Sequence, residues 1–276
     1  MVKVLILGST GMLGSAVGKH FLSKKEYSTT LTYRNRKVSY GRDKIWFDAG
    51  KTRMHDLPRV DYIINCIGVI KPFIEDDKGK SIYLNSLFPR ELAIHCKKYG
   101  IKLIHITTDC VFSGRTGNYV ETSEHDCLDF YGKSKSLGEP HEDCMVIRTS
   151  IIGEEIHKNA SLISWVKSMK GKEINGYTNH KWNGVTTKQY AKICERIIDE
   201  NLYTEGLFHI GSNVVTKYEL VKDINEIFEL GITINPFNTP VGIDRTLRSN
   251  EDLSLMLMQD IPTLREQMLD LRGKTL

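Results

Sequence analysis

The chain opens on Val-Lys-Val-Leu-Ile-Leu at 2–7, an almost wholly apolar run, as expected of a central parallel strand buried on both faces. The run stops at glycines 8, 11 and 14, and Leu13, Ala16, Val17, Phe21 and Leu22 then recur at helical spacing. The alternation continues downstream. Residues 27–33 are rich in β-branched and aromatic side chains and predict a second strand; 44–47 predicts a brief third and 60–67 a fourth. In 81–99 the apolar positions Ile82, Leu84, Leu87, Leu92, Ala93 and Cys96 fall at helical spacing, and Gly100 supplies a C-terminal cap. Strands are expected again at 101–106 and 144–148. Strands alternating with helices specify a parallel, doubly wound sheet.

Past Thr149 the alternation weakens. Helices are expected at 159–169, 187–201, 217–229 and 263–271, around the polar, aromatic segment 176–184, with a strand at 207–210 that could return to the sheet. The expectation is an α/β protein of Rossmann-like architecture. A dinucleotide-binding domain would span 1–150, joined by return segments from the C-terminal part, and 151–276 would form mainly a smaller substrate-binding lid.

Composition narrows the classes. The 276 residues suffice for one large core or for a large and a small domain, and 40% hydrophobic with 26% charged residues is ordinary for a globular protein. The net charge of +4 is small and interspersed, so no nucleic-acid partner is expected, only a modest preference for anionic ligands. No apolar run reaches membrane length, and the N-terminal run lacks the basic region and cleavage site of a signal peptide, so a cytoplasmic location with no membrane association is expected. The cysteines at 66, 96, 110, 127, 144 and 194 never pair at metal-knuckle spacing, and the nine histidines form no HExxH pattern. Buried free thiols and no metal site follow.

Candidate chemistry begins at the glycines. Gly8 permits a tight turn, Gly11 lets a pyrophosphate approach the backbone, and Gly14 lets helix and strand pack closely. Ser9, Thr10, Met12 and Leu13 complete a loop whose free amides, with the helix dipole, would hold a diphosphate. An acid at the end of the second strand would bind the ribose hydroxyls of NAD; here Arg34 and Arg36 stand instead, which favours NADP(H) over NAD(H), a solvated basic loop being the alternative. Asp48 is a plausible partner for the adenine, and Cys66, Ile67 and Gly68 bring small residues to the carboxyl end of the fourth strand, where ligands of open α/β sheets bind. The fifth strand delivers Thr108 and Asp109 to the same edge.

Tyr131 and Lys135 are four apart and would share one helix face. In a hydride-transfer site Tyr131 would protonate a carbonyl oxygen. Lys135 would bring the phenol down from its usual pKa of about 10 and bond the nicotinamide ribose, while Thr108 would orient the carbonyl. On the substrate side, Lys71 could meet a sugar or diphosphate, Trp182 and Asn183 could stack on and hydrogen-bond a base or sugar, and Arg245 and Arg248 could clamp a diphosphate. Ordinary surface or packing roles are the alternatives for each.

Taken together, these segments resemble the extended short-chain dehydrogenase/reductase family, and within it the dTDP-4-dehydrorhamnose reductase branch. The resemblance rests on Gly8-Ser-Thr-Gly-Met-Leu-Gly14, Asn65-Cys-Ile-Gly68, Asn85, Ile106-Thr-Thr-Asp-Cys-Val-Phe-Ser-Gly114, Tyr119-Val-Glu121, Tyr131-Gly-Lys-Ser-Lys135 with Gly138-Glu139, Arg148-Thr-Ser150 and Gly184-Val-Thr-Thr187. It is dense to Gly153 and thin beyond. It implies NAD(P)H-dependent reduction of a nucleotide-linked 4-keto-6-deoxy sugar in deoxysugar or surface-glycan synthesis. The family's catalytic hydroxyl, tyrosine and lysine fall on Thr108, Tyr131 and Lys135, Asn85 joins the cofactor set, and Asp109, Val111 and Phe112 join the substrate set. The C-terminal part would bind the nucleotide sugar, and the branch often forms homodimers. Ile151-Ile152 stands where the rhamnose enzymes commonly carry an aromatic residue, so the resemblance carries the reaction class further than the particular sugar. Two alternatives remain open. One is a nucleotide-sugar epimerase or combined epimerase/reductase. The other is a non-catalytic NADP-binding subunit, since the branch includes a regulatory subunit of methionine adenosyltransferase.

Overall fold

The first strand, β1 (Val2–Leu7), sends Val4 and Ile6 into one hydrophobic core and Leu5 and Leu7 into another, which is why it has almost no polar position. The computed structural model describes residues 1–35, 43–155 and 160–273. β2 (Tyr27–Tyr33), β3 (Lys44–Trp46), β4 (Tyr62–Asn65), β5 (Lys102–Thr107) and β6 (Met145–Arg148) join β1 in a parallel sheet that the strand Gly206–His209 completes. From that strand the order is β6, β5, β4, β1, β2 and β3, seven strands in all. The sequence-expected return strand therefore pairs with β6, Leu207 opposite Val146. The strand order reverses between β1 and β4, and in open α/β sheets ligands bind outside the carboxyl ends of the strands at such a point.

Helices cover both faces. The helix α1 (Met12–Leu22) and the helix Thr187–Asp199 pack on one face, with Val17, Phe21, Tyr190 and Ile197 buried among them. The helix Phe88–Tyr99 covers the other with Phe88, Leu92 and Cys96. A third core, around Ile163, Trp182, Leu220, Ile224 and Met268, is built wholly from the C-terminal part. Its helices Lys217–Phe228 and Leu264–Arg272 each start on a capping box, Thr216 with Glu219 and Thr263 with Glu266.

One expectation is corrected in detail. The single helix read over 81–99 is a helix at Lys78–Ile82, a π-helical turn at Tyr83–Leu87 and a further helix at Phe88–Tyr99, ending on Gly100 at φ 67°. Pro89 has no amide to close the next α-type bond onto the carbonyl of Asn85. The interruption leaves that carbonyl against Gly138, where an added Cβ would stand 1.8 Å from it. Among the described residues no three His, Cys, Asp or Glu side chains are grouped to hold a metal ion, and no helix is long and apolar enough to cross a membrane.

Because the atom that Gly138 would strike is backbone, Gly138→Ala must displace one helix from the other. Urea unfolding of this variant is expected to show a loss of about 1–3 kcal/mol; an unchanged midpoint would contradict the close approach.

Candidate active site

The glycine loop is fastened to β2 before it turns. Gly8, at φ 77°, donates its amide to Thr32 Oγ1 at 2.9 Å, and Ser9 Oγ donates to the Thr32 carbonyl at 2.5 Å. Gly11 N donates to the Gly8 carbonyl at 3.0 Å, and a Cβ on Gly14 would lie 2.2 Å from that same oxygen. α1 then begins with no side-chain cap on its first amides. An exposed Gly11 ahead of uncapped amides is a cradle suited to a diphosphate. Thr10 is exposed at its rim, Met12 is half-buried, and Leu13 turns into the core.

The other cofactor-side residues take different places. Arg34 is exposed, and its carbonyl accepts from Trp46 Nε1 at 3.0 Å; Arg36 lies outside the described residues. Asp48 follows β3 and organises its own turn, Oδ1 accepting from Gly50 N at 3.2 Å. Cys66 and Ile67 are half-buried and Gly68 is exposed at the end of β4, where Ile67 N donates to Asn65 Oδ1 at 3.1 Å. Burial pushes the Cys66 thiol well up. Asn85 is fully buried. Its amide brackets Val69, accepting from the backbone N at 2.8 Å and donating to the carbonyl at 2.9 Å, and also donates to Ser134 Oγ at 3.0 Å. It ties the β4 loop to the helix Phe130–Leu137, between Tyr131 and Lys135.

That helix is capped by Asp129, whose carboxylate accepts from Gly132 N at 3.0 Å. It lies so close to the turn after β5 that a Cβ on Gly132 would come within 2.3 Å of the Cys110 carbonyl. Tyr131 is thereby brought beside Thr108. Thr108 Oγ1 in turn donates to Asp109 Oδ1 at 3.1 Å and accepts from Cys110 N at 3.2 Å. Lys135 is 5% exposed and donates to the Ile106 carbonyl at 3.1 Å. Burial lowers its ammonium to about 8, with Glu139 opposing. The phenol of Tyr131 does not follow the expected fall towards neutrality: burial pushes it well above its ordinary value, and Cys110 and Asp109 beside it add to this. In this arrangement Lys135 is turned to the β5 backbone.

Beside Thr108 a cavity of about 150 Å³ opens between the sheet edge and the C-terminal part, lined by Asp109, Cys110, Trp182, Lys217, Ile243 and Arg245 among others. Arg245 Nε donates to the Phe112 carbonyl at 2.9 Å. Lys71 stands near the mouth of the site, its ammonium 5.9 Å from the Tyr131 ring centre and 3.1 Å from the Asp129 carboxylate. Val111 and Phe112 are buried with Tyr119 and Leu247, Phe112 stacking flat on Tyr119 at 4.1 Å. Both amide atoms of Asn183 are engaged by the Leu247 backbone, at 2.8 and 2.9 Å. Arg248 is exposed and does not line the cavity.

The family model of the RmlD substrate binding domain matches residues 2–262. The chain belongs to that family. Methionine adenosyltransferase 2 subunit beta of Rattus norvegicus is 27% identical over 244 residues, covering 83% of this chain and 72% of the relative. The probable low-salt glycan biosynthesis reductase Agl14 of Haloferax volcanii is 24% identical over 257 residues, covering 87% and 85%. Among solved structures, dTDP-4-dehydrorhamnose reductase from Bacillus anthracis in complex with NADP superposes with a TM-score of 0.75 at 20% identity, covering 97% of each chain.

In this RmlD-family chain the sequence left one cluster without a function. Arg148, 1% exposed, bonds the Glu139 carboxylate from Nε at 3.2 Å and Nη2 at 2.6 Å, and meets His209 Nε2 at 2.8 Å and His125 Nε2 at 2.7 Å. A guanidinium only donates, so both imidazoles accept there. Burial lowers His209 to about 4 and lowers His125 as well, which keeps them neutral for this task. The Arg148 guanidinium also lies 5.1 Å from the Phe112 ring centre. The resemblance marked Arg148, Glu139 and Glu121, but no local spacing announced His125 or His209. Lys217 was missed too, since at the start of an amphipathic helix it reads as an ordinary surface residue.

Proposed function

We propose that this RmlD-family chain binds NADP(H) and reduces a nucleotide-linked 4-keto-6-deoxy sugar in deoxysugar or surface-glycan synthesis. The observation that carries the reading is the convergence of Thr108, Tyr131 and Lys135 at the carboxyl end of β5, between the glycine cradle and the cavity. The cradle suits the diphosphate of a dinucleotide, because a side chain on Gly14 would strike the Gly8 carbonyl. Arg34, exposed just after β2, would meet the 2′-phosphate. A bound NADPH supplies the hydride for the carbonyl carbon.

The protein's own groups do the rest. A phenol held above its usual pKa keeps its proton at neutral pH, so Tyr131 is a proton donor to the carbonyl oxygen. Thr108, beside that phenol, orients the oxygen. Lys135, charged below a pH of about 8, steadies the negative charge left on the phenolate. The cavity takes the sugar and its nucleotide, with Asp109, Trp182, Arg245 and Lys71 around it. The reading carries with it a cytoplasmic location and a homodimer, as the branch it resembles often forms.

A second reading is favoured by the 27% identity to a methionine adenosyltransferase subunit. In it the same cradle holds NADP, and the protein acts by binding a partner. Tyr131→Phe separates the two. For a reductase, NADPH oxidation should fall by about 10²- to 10⁴-fold while NADPH titration is unchanged. Undiminished turnover would remove the proposed proton donor, and partner binding indifferent to the change, with no turnover in the parent, would favour the subunit.

The same assignment fixes a pH dependence. Lys135 loses its proton as pH rises through about 8, so kcat/KM for ketone reduction should decline above that pH and be level below it. A profile that instead rises through pH 8 would contradict a catalytic ammonium.

A further inference from the structure

The ammonium of Lys217 lies 4.7 Å from the centre of the Trp182 ring, and among the described residues it makes no hydrogen bond or ion pair. It is half-buried in the cavity wall. Arg245 faces the same space: Nε is held by the Phe112 carbonyl, and the outer guanidinium nitrogens have no partner among the described residues. The third cation of the wall, Lys181, is already paired with Asp244 at 3.3 Å. Among the described residues Asp109 is the one carboxylate lining the cavity, and it accepts from Thr108. Two partly desolvated cations thus share a small space with a single, already engaged acid. Burial lowers the pKa of Lys217 and Arg245 adds to this, with Asp109 opposing. Such an arrangement opposes folding unless a bound anion offsets it.

We propose that Lys217, with Arg245, forms the anion-binding end of the substrate cavity, and that Lys217 selects ligands carrying a phosphate or carboxylate group there. The face of Trp182 meets the ammonium itself and holds it at the cavity wall, where both side chains line the space. The proposal rests on the reading that this cavity takes the substrate, and the anionic group comes either from the diphosphate of the nucleotide or from a carboxylate on the sugar.

Calorimetric titration with saturating NADPH, using uridine, UDP, UDP-glucose, UDP-glucuronic acid, thymidine and dTDP, tests it on the wild type, Lys217→Met and Lys217→Arg. Lys217→Met is expected to weaken its ligands by about tenfold or more, with Lys217→Arg recovering most of the affinity. Weakening of every diphosphate but not of the nucleosides identifies the diphosphate as the source; weakening confined to UDP-glucuronic acid identifies the sugar carboxylate. Affinities in Lys217→Met equal to wild type overturn the proposal. So does a wild type that binds none of the anionic ligands more tightly than the nucleosides. Binding is read without turnover, so a chain that never oxidises NADPH would lose the reductase reading and keep the anion site.

Discussion

Everything at the site depends on how closely the helix Phe130–Leu137 lies against its neighbours. At its two ends, Gly132 faces the Cys110 carbonyl and Gly138 the Asn85 carbonyl, each at a distance that no side chain permits. Between them Ser134 accepts from Asn85, and Ser86 Oγ donates to the Ser134 carbonyl at 2.6 Å. The π turn that frees the Asn85 carbonyl and the glycine that receives it are therefore one device. It sets the height of Tyr131 and Lys135 over the ends of β4 and β5. A helix set an ångström further out would take the phenol away from Thr108, and positional losses of that size are expensive in rate.

Charge is handled in two contrasting ways around this helix. Arg148 and Glu139 are buried but saturated: carboxylate, two imidazoles and an aromatic face meet the guanidinium. That network joins the end of the helix to the strand Gly206–His209 and, through the His209 bond to the Arg248 carbonyl at 2.8 Å, to the segment carrying Arg245. Lys135 and Lys217 are buried or half-buried without an ion pair among the described residues, and both are pushed down by burial. Saturated buried charge fixes geometry. Unsaturated buried charge marks where a ligand or a proton is to be handled.

The parts legible in the sequence are those that rest on local spacing. An apolar strand closing on glycines, the recurrence of strand and helix, the capping Gly100 and the four-residue step from Tyr131 to Lys135 each need only a short window. The return strand at 206–209 was also legible, from a brief apolar run after a long helix. What the sequence concealed is pairing across distance. His209 meets Arg148 from 61 residues away, and Asn183 is engaged by a backbone 64 residues on, so a side chain read for a ligand contact also holds a loop. The raised phenol was hidden for another reason: burial, a property of the whole fold, sets it, while the lysine that the motif draws attention to is turned to the Ile106 carbonyl.

The most direct test of the central claim is NADPH oxidation against a panel of dTDP-, UDP-, GDP- and CDP-linked 4-keto-6-deoxy sugars. The account predicts turnover with at least one member, which would name the nucleotide as well. Tight NADPH binding with no oxidation across the whole panel would contradict the reductase reading and favour a binding subunit.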